Sequence, residues 1–259
     1  MTQKPTIRPS SDAKRKGIDY MFFGRRHGRT LRKGRKAALN DTLPALSLVE
    51  RLGKLPQKLA TIHDAFPKSG RMDDAAPVWL EIGFGSGDYL AKMLAAYPNH
   101  RFIGCEPFMN GVSNFLKILH ETMDEADYAD RLGLWHDSAE ILLDALPDAS
   151  IDRLYLLNPD PWPKKRHHKR RFVQPANLDR IARVLKDGGE FITATDVLDL
   201  GEWMLEHTLR HDAFVWTAQS KDDWSVMPDD WMVTTRYAQK GADQGRNEIY
   251  LRFVRKNRA

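Results

Sequence analysis

The 259-residue chain holds a single cysteine, Cys105, so no intrachain disulfide and no cysteine-based zinc site can form. It has no apolar run long enough to span a bilayer. Met1 to Ser10 lacks the apolar stretch of a secretory signal. Asp12 and Asp19 count against reading the basic N-terminus as an organellar transit peptide. No P-loop sequence is present, which argues against ATP chemistry. These absences fit a reducing compartment and no membrane partner, and the expected location is the cytoplasm.

What the chain does have is an ordinary globular mix, 42% hydrophobic and 29% charged, which argues against wholesale disorder. Its length suits one domain with extensions. The net charge is +5, and the excess is clustered in Lys14 to Lys36 and in Lys164 to Arg171. One such cluster is usually a solvated face. Two beside an enzyme motif favour a polyanionic partner.

Residues 1–40 read as a basic, flexible arm, rich in Lys, Arg and Gly, in which Tyr20, Phe22 and Phe23 could stack on bases but more simply anchor the arm to the body. Residues 41–259 form the expected domain. A helix broken at Pro56 is expected over 44–66, then a linker over 67–77. Strand and helix alternate thereafter. Strands are expected at Val78–Ile82, Arg101–Cys105, Leu132–Trp135, Ile151–Leu157, Phe191–Ala194, Phe214–Thr217 and Glu248–Val254. Helices are expected at Asp88–Ala96, Gly111–Met123, Ala139–Leu146, 175–186 (stopped by Gly188-Gly189) and Leu198–Arg210. Such alternation predicts an α/β sandwich, with helices on both faces of a mainly parallel seven-stranded sheet.

The first strand runs into Glu81-Ile82-Gly83-Phe84-Gly85-Ser86-Gly87-Asp88. Glycines at such a turn let a ligand approach the backbone closely. Alone, the turn is a weak signal. Three acids sharpen it: Glu81 before the glycines, Glu106 at the end of the second strand and Asp137 at the end of the third. Glu106 suits the two hydroxyls of a ribose, and Asp137 an adenine amino group. An NAD site would normally show Gly-x-Gly-x-x-Gly with a pyrophosphate at the helix start. Here Gly83, Gly85 and Gly87 alternate, and Glu81 suits a cationic ligand better than a pyrophosphate. The segment resembles the S-adenosylmethionine loop of Rossmann-like methyltransferases.

The fourth strand enters Asn158-Pro159-Asp160-Pro161-Trp162-Pro163, followed by Lys164-Lys165-Arg166-His167-His168-Lys169-Arg170-Arg171. Three prolines cannot continue a strand ladder and stiffen the turn that carries Asp160 and Trp162. A solvated charged loop would explain the lysines but not the rigid acidic-aromatic turn before them. The run NPDPWPKKRHHKRRFVQ resembles the signature of the bacterial tRNA (guanine-N7-)-methyltransferases, and the resemblance extends from about Leu80 to Gly241.

The resemblance implies an enzyme that moves a methyl group from S-adenosylmethionine to guanine N7 in the variable loop of tRNA. It implies cofactor contacts from Glu81, Glu106, Asp137 and Asp160, with Asp160 also the active-site acid. It implies that Lys164 binds RNA and that Lys165, Arg166, His167, His168, Lys169, Arg170 and Arg171 line its path. Asp196 would touch the target nucleotide. Near the C-terminus the family carries Thr-x-x-Glu, and the matching residues are Thr235, Arg236, Tyr237 and Ala238, with alanine in place of glutamate. A lapsed, tRNA-binding member of the fold and a small-molecule or protein methyltransferase are the rival readings.

His207 and His211 stand four apart on an expected helix, but no third ligand is spaced nearby, so no metal is expected. Trp224 and Trp231 flank a loop near the site, where packing is the simpler role.

Overall fold

The computed structural model describes residues 24–53, 57–67, 72–228 and 247–258. The fold is a sandwich around a seven-stranded sheet, β1 (Val78–Ile82), β2 (Arg101–Cys105), β3 (Leu132–Trp135), β4 (Ile151–Leu157), β5 (Leu185–Thr195), β6 (Phe214–Trp216) and β7 (Ile249–Arg255), in the order β3-β2-β1-β4-β5-β7-β6. The first five strands pair in parallel, and β7 lies antiparallel between β5 and β6. Every residue of β1, β2 and β3 is buried, as expected of parallel strands covered on both faces.

Side chains alternate across the sheet and supply two cores. Leu80, Ile82, Leu154, Leu156 and Phe191 face one layer, built from α6 (Ala139–Ala145), α7 (Pro175–Val184) and α8 (Leu198–Leu209). Trp79, Tyr155, Ile192 and Ala194 face the other, built from α1 (Lys33–Asp41), α4 (Asp88–Ala96) and α5 (Met109–Thr122). The large buried faces of α5 and α7 are what hold these helices, since neither carries a side-chain N-cap.

Two expectations need correction. Residues 44–66 do not form one broken helix: α2 (Leu43–Leu46), α3 (Leu48–Leu52) and a 3-10 turn (Ile62–Ala65) replace it. Ser47 accepts from the Glu50 N–H at 3.1 Å and starts a new helix, and Gly53, at φ 83°, ends it. The helix expected over 175–186 stops at Val184, and β5 starts at once and passes through the Gly188-Gly189 pair. Gly188 takes φ 75°, and its neighbour Gly189 runs so close to β4 that a Cβ would lie 3.1 Å from the Asp152 carbonyl. The glycines therefore bend a strand and do not cap a helix.

The described part of the arm packs against the domain. Residues 24–32 lie along the start of α5, and α1 packs Ala38 into the core. Tyr20, Phe22 and Phe23 lie outside the described residues.

Candidate active site at the carboxyl edge of the sheet

Strands β1, β2 and β3 end side by side, so their terminal acids converge. Glu81 is the fourth residue of β1, and the strand's alternation sends it to the same face as Trp79, under the glycine loop. It is buried, and its Oε2 has no hydrogen-bond partner among the described residues. Burial, reinforced by the nearby Glu106, pushes its carboxyl up from 4.5 to about 8. A lone buried carboxylate is costly, and a cationic group is what would satisfy it.

Glu106 follows β2. Its Oε2 accepts from the Gly85 N–H at 2.9 Å and its Oε1 from the Phe108 N–H at 2.8 Å. These bonds fix the glycine loop against the start of α5. Burial still raises the Glu106 pKa, against the pull of the two backbone bonds, and the neighbouring Asp160 raises it further. A carboxylate offers about four acceptor sites, so two hydroxyl donors can still be taken.

Asp137 follows β3. Its Oδ1 accepts the Ser138 N–H at 2.7 Å and an ion pair from the Arg26 guanidinium. Both contacts fall on Oδ1, which leaves Oδ2 for an exocyclic amine.

The glycine loop has the conformation the sequence suggests. Gly83, Gly85 and Gly87 take φ of 77°, 57° and 79°, a left-handed region costly for other residues. Gly111, which the motifs do not single out, completes it. This residue, in the first turn of α5, lies so close that a Cβ would sit 2.2 Å from the Gly85 carbonyl oxygen. Its only signal in the sequence is a glycine at the expected start of the helix.

Asp160 is carried by the proline turn after β4. Two residues of that turn, Asn158 (φ 49°) and Trp162 (φ 44°), adopt left-handed backbone without being glycine. Such strain persists only where surrounding contacts hold it. At one end Asn158 donates its backbone N–H to the Ala194 carbonyl and its Nδ2 to Glu248 Oε1, both at 2.8 Å. At the other end Arg171 holds the turn. Its Nε donates to the Pro161 carbonyl at 3.0 Å, its Nη1 to the Asp199 carbonyl at 3.3 Å, and its Nη2 pairs with the Asp199 carboxylate. The guanidinium also lies 5.0 Å from the Trp203 ring centroid.

Arg171 is thus a correction. Expected on the RNA path, it is only 2% exposed, with three of its N–H donors committed to Pro161 and Asp199. The remaining members of the run, Lys164 to Arg170, stay at the surface: Lys164, Lys165, Arg166 and Lys169 are exposed, and His167, His168 and Arg170 are half-buried. Lys165–Arg170 forms a 3-10 helix. Trp162 lies against this run, with the Arg170 guanidinium 4.9 Å from its ring centroid and His167 edge-on at 5.8 Å.

Partial burial in the turn raises the Asp160 pKa, although the residue keeps access to solvent. Asp160 neighbours Glu106, and Glu106 neighbours Glu81, so the three acids form a continuous strip. Asp196, after β5, is close enough to Glu248 to raise its pKa, and Glu248 bonds Asn158 at the start of the Asp160 turn. Thr235, Arg236, Tyr237 and Ala238 lie outside the described residues, as does Trp231. Trp224 packs on the core. His207 stacks on Trp203 at 3.8 Å while His211 bonds Asp179 at 3.1 Å, so the two histidines serve separate contacts.

The acids, the open glycine loop and the unpaired Glu81 fit S-adenosylmethionine. Glu81 would take its cationic amino acid end, Glu106 its ribose and Asp137 its adenine.

Comparison with known proteins agrees with this geometry. A family model described as a putative methyltransferase matches residues 75–251. The structure of the 16S rRNA methyltransferase KamB superposes with a TM-score of 0.52 at 16% identity, over 73% of this chain and 90% of that one, a likeness of fold. The tRNA (guanine-N(7)-)-methyltransferase of Rhodospirillum rubrum is 43% identical over 93% of this chain and 90% of its own length. The enzyme of the same name from Brucella anthropi is 43% identical over 91% of this chain and 94% of its own. With those identities over nearly the whole length, and the glycine loop, strand-end acids and proline turn in place, the chain belongs to the tRNA (guanine-N(7)-)-methyltransferase family.

Proposed function

We propose that the chain methylates N7 of a guanine in the variable loop of tRNA, with S-adenosylmethionine as methyl donor and Asp160 at the point of transfer. The observation that carries this reading is the strip Glu81–Glu106–Asp160, which leads from an unpaired buried carboxylate to a strained turn flanked by the basic run.

The cofactor, when bound, supplies a methyl carbon activated by a positively charged sulfur. Guanine N7 keeps its lone pair at neutral pH, so the protein needs no general base to create a nucleophile. Its task is alignment, to which tight positioning contributes most. The braces on Asn158 and Pro161 hold Asp160 at a fixed height above the sheet edge. From there its carboxylate can accept from guanine N1–H and N2–H, which turns N7 toward the methyl group. Positive charge builds on the base during transfer, and a fixed carboxylate stabilises it. Lys164 and the exposed part of the run neutralise phosphates, giving affinity without sequence choice. Asp196 touches the target nucleotide. The cytoplasm is the proposed location.

Transcripts containing 7-deazaguanine test the reaction. They keep the guanine N1–H and N2–H donors but lack N7. The unmodified transcript should accept one methyl group, and the deaza transcript none while still binding. Equal methylation of both would direct the chemistry to another atom.

A further inference from the structure

Away from the catalytic turn, the arm and α5 enclose a second basic feature. Arg26 donates its guanidinium to Asp137, and its carbonyl accepts from the Met109 N–H at 2.9 Å. Gly28 donates its N–H to Asn110 Oδ1, and Asn110 Nδ2 donates to the Arg29 carbonyl, both at 2.8 Å. Helix α1 then lies along α5, joined by Arg35 to Asn114 at 3.2 Å. Just past α1, Thr42 meets His120 at 2.8 Å.

Between segment 29–32, α1 and α5 lies an open concavity of about 790 Å³. Arg29, Arg32 and Arg35 line one side, and Lys117, His120 and Glu121 the other. The four cations face one acid, Glu121, which is already paired with Lys117 at 2.9 Å. Arg29 and Arg32 meet no carboxylate among the described residues.

A solvated face does not need its cations gathered in a concavity whose backbone is pinned in place. Like charges held together repel, and a polyanion relieves that repulsion. The groove starts at Asn110, beside the acid strip at the carboxyl edge, and runs down α5 toward Glu121. It lies on the sheet face of α1, α4 and α5, whereas the run 164–170 follows β4 on the opposite side of the glycine loop. An RNA whose target base enters at Asp160 would meet cations on both flanks.

We infer that this groove is a second RNA-docking surface, which holds the sugar-phosphate backbone of the tRNA body while the 164–170 run holds the strand near the target base. The inference rests on the tRNA reading above. It gives Lys117, on α5, a role the linear sequence does not suggest, because its partners come from the arm.

The test uses the full-length chain carrying Arg29→Gln, Arg32→Gln and Lys117→Gln together. Arg35 is left intact because it supports Asn114, which bonds the Ser86 carbonyl at 3.0 Å in the glycine loop. Binding to unmodified tRNA is measured across a salt series, with S-adenosylmethionine affinity measured alongside. Removing one cation that neutralises a phosphate should make the slope of log K against log salt less negative by about 0.7–0.9. Three such removals should change it by about 2–3, with cofactor affinity unchanged. A wild-type slope with wild-type cofactor affinity overturns the inference. If the triple variant is misfolded, Lys117→Glu alone, on the exposed side of α5, should flatten the slope by about 1, and an unchanged slope there overturns it equally. Lys164→Gln with Lys165→Gln runs in parallel. A slope change there but not in the groove variant keeps the tRNA reading and removes the groove. No tRNA binding by the wild type removes both.

Discussion

Acidification should release the cofactor through one carboxyl group. Glu81 is buried without a partner on Oε2 among the described residues, and burial beside Glu106 pushes its pKa up to about 8. Near neutral pH the empty site therefore holds this group largely protonated, and a cationic ligand must bind the ionised form. Linkage sets the size of the effect: the apparent Kd scales with one plus ten to the power of (8 − pH), a factor of about 100 at pH 6.0 and about 4 at pH 7.5. S-adenosylmethionine should bind about 25-fold more tightly at pH 7.5 than at pH 6.0, with close to one proton released per site near pH 6. Calorimetry in buffers of different ionisation enthalpy reads both quantities without catalysis. Glu81→Gln keeps the shape and removes the proton, so its affinity should be weak and nearly flat over the same range. The empty protein obeys the same linkage with the sign of a raised acid. The stabilisation from Glu81 is fully present below pH 4.5 and is lost as pH climbs through about 8, by up to about 4–5 kcal/mol relative to Glu81→Gln. An affinity in wild type as flat as in Glu81→Gln would refute the assignment of Glu81 as the cation-binding group.

Other expectations follow from single contacts. Arg171→Met keeps the volume but removes three charge-assisted hydrogen bonds and a ring contact, which should cost about 2–3 kcal/mol of stability by denaturant unfolding and lower kcat more than tRNA affinity. A fall in tRNA affinity alone would return Arg171 to the RNA path. Gly111→Ala drives a methyl group into the Gly85 carbonyl, so cofactor affinity should fall about tenfold or more while the protein stays folded, as read by calorimetry and thermal melting. Asp160→Asn should cut kcat by about 100-fold or more with little change in tRNA Kd, in line with the loss of a preorganised charge-stabilising group. Near-normal turnover would remove Asp160 from the mechanism.

Where chemistry and local backbone coincide, the sequence is readable. Strands β1 to β4 fall where their apolar runs begin and end, because parallel strands buried on both faces need continuous apolar residues. The acids sit at strand ends that parallel pairing brings to one edge, so Glu81, Glu106 and Asp137 converge as expected. What stays hidden depends on residues far apart in the chain. Arg171 is one of eight similar side chains in Lys164–Arg171, and only Trp203 and Asp199, supplied by α8, select it for burial. The Arg26–Asp137 pair joins residues 111 apart. The left-handed backbone at Asn158 and Trp162 follows from braces that no local pattern encodes. The Gly188-Gly189 pair reads as a helix stop by habit, yet serves the close passage of β5 past β4.

Incubation of the protein with methyl-labelled S-adenosylmethionine and unmodified bulk tRNA, followed by borohydride–aniline cleavage, tests the central claim most directly. Label in the RNA and strand scission at a variable-loop guanine are the expected result. Label without scission, or no label from protein that binds both cofactor and tRNA, would contradict it.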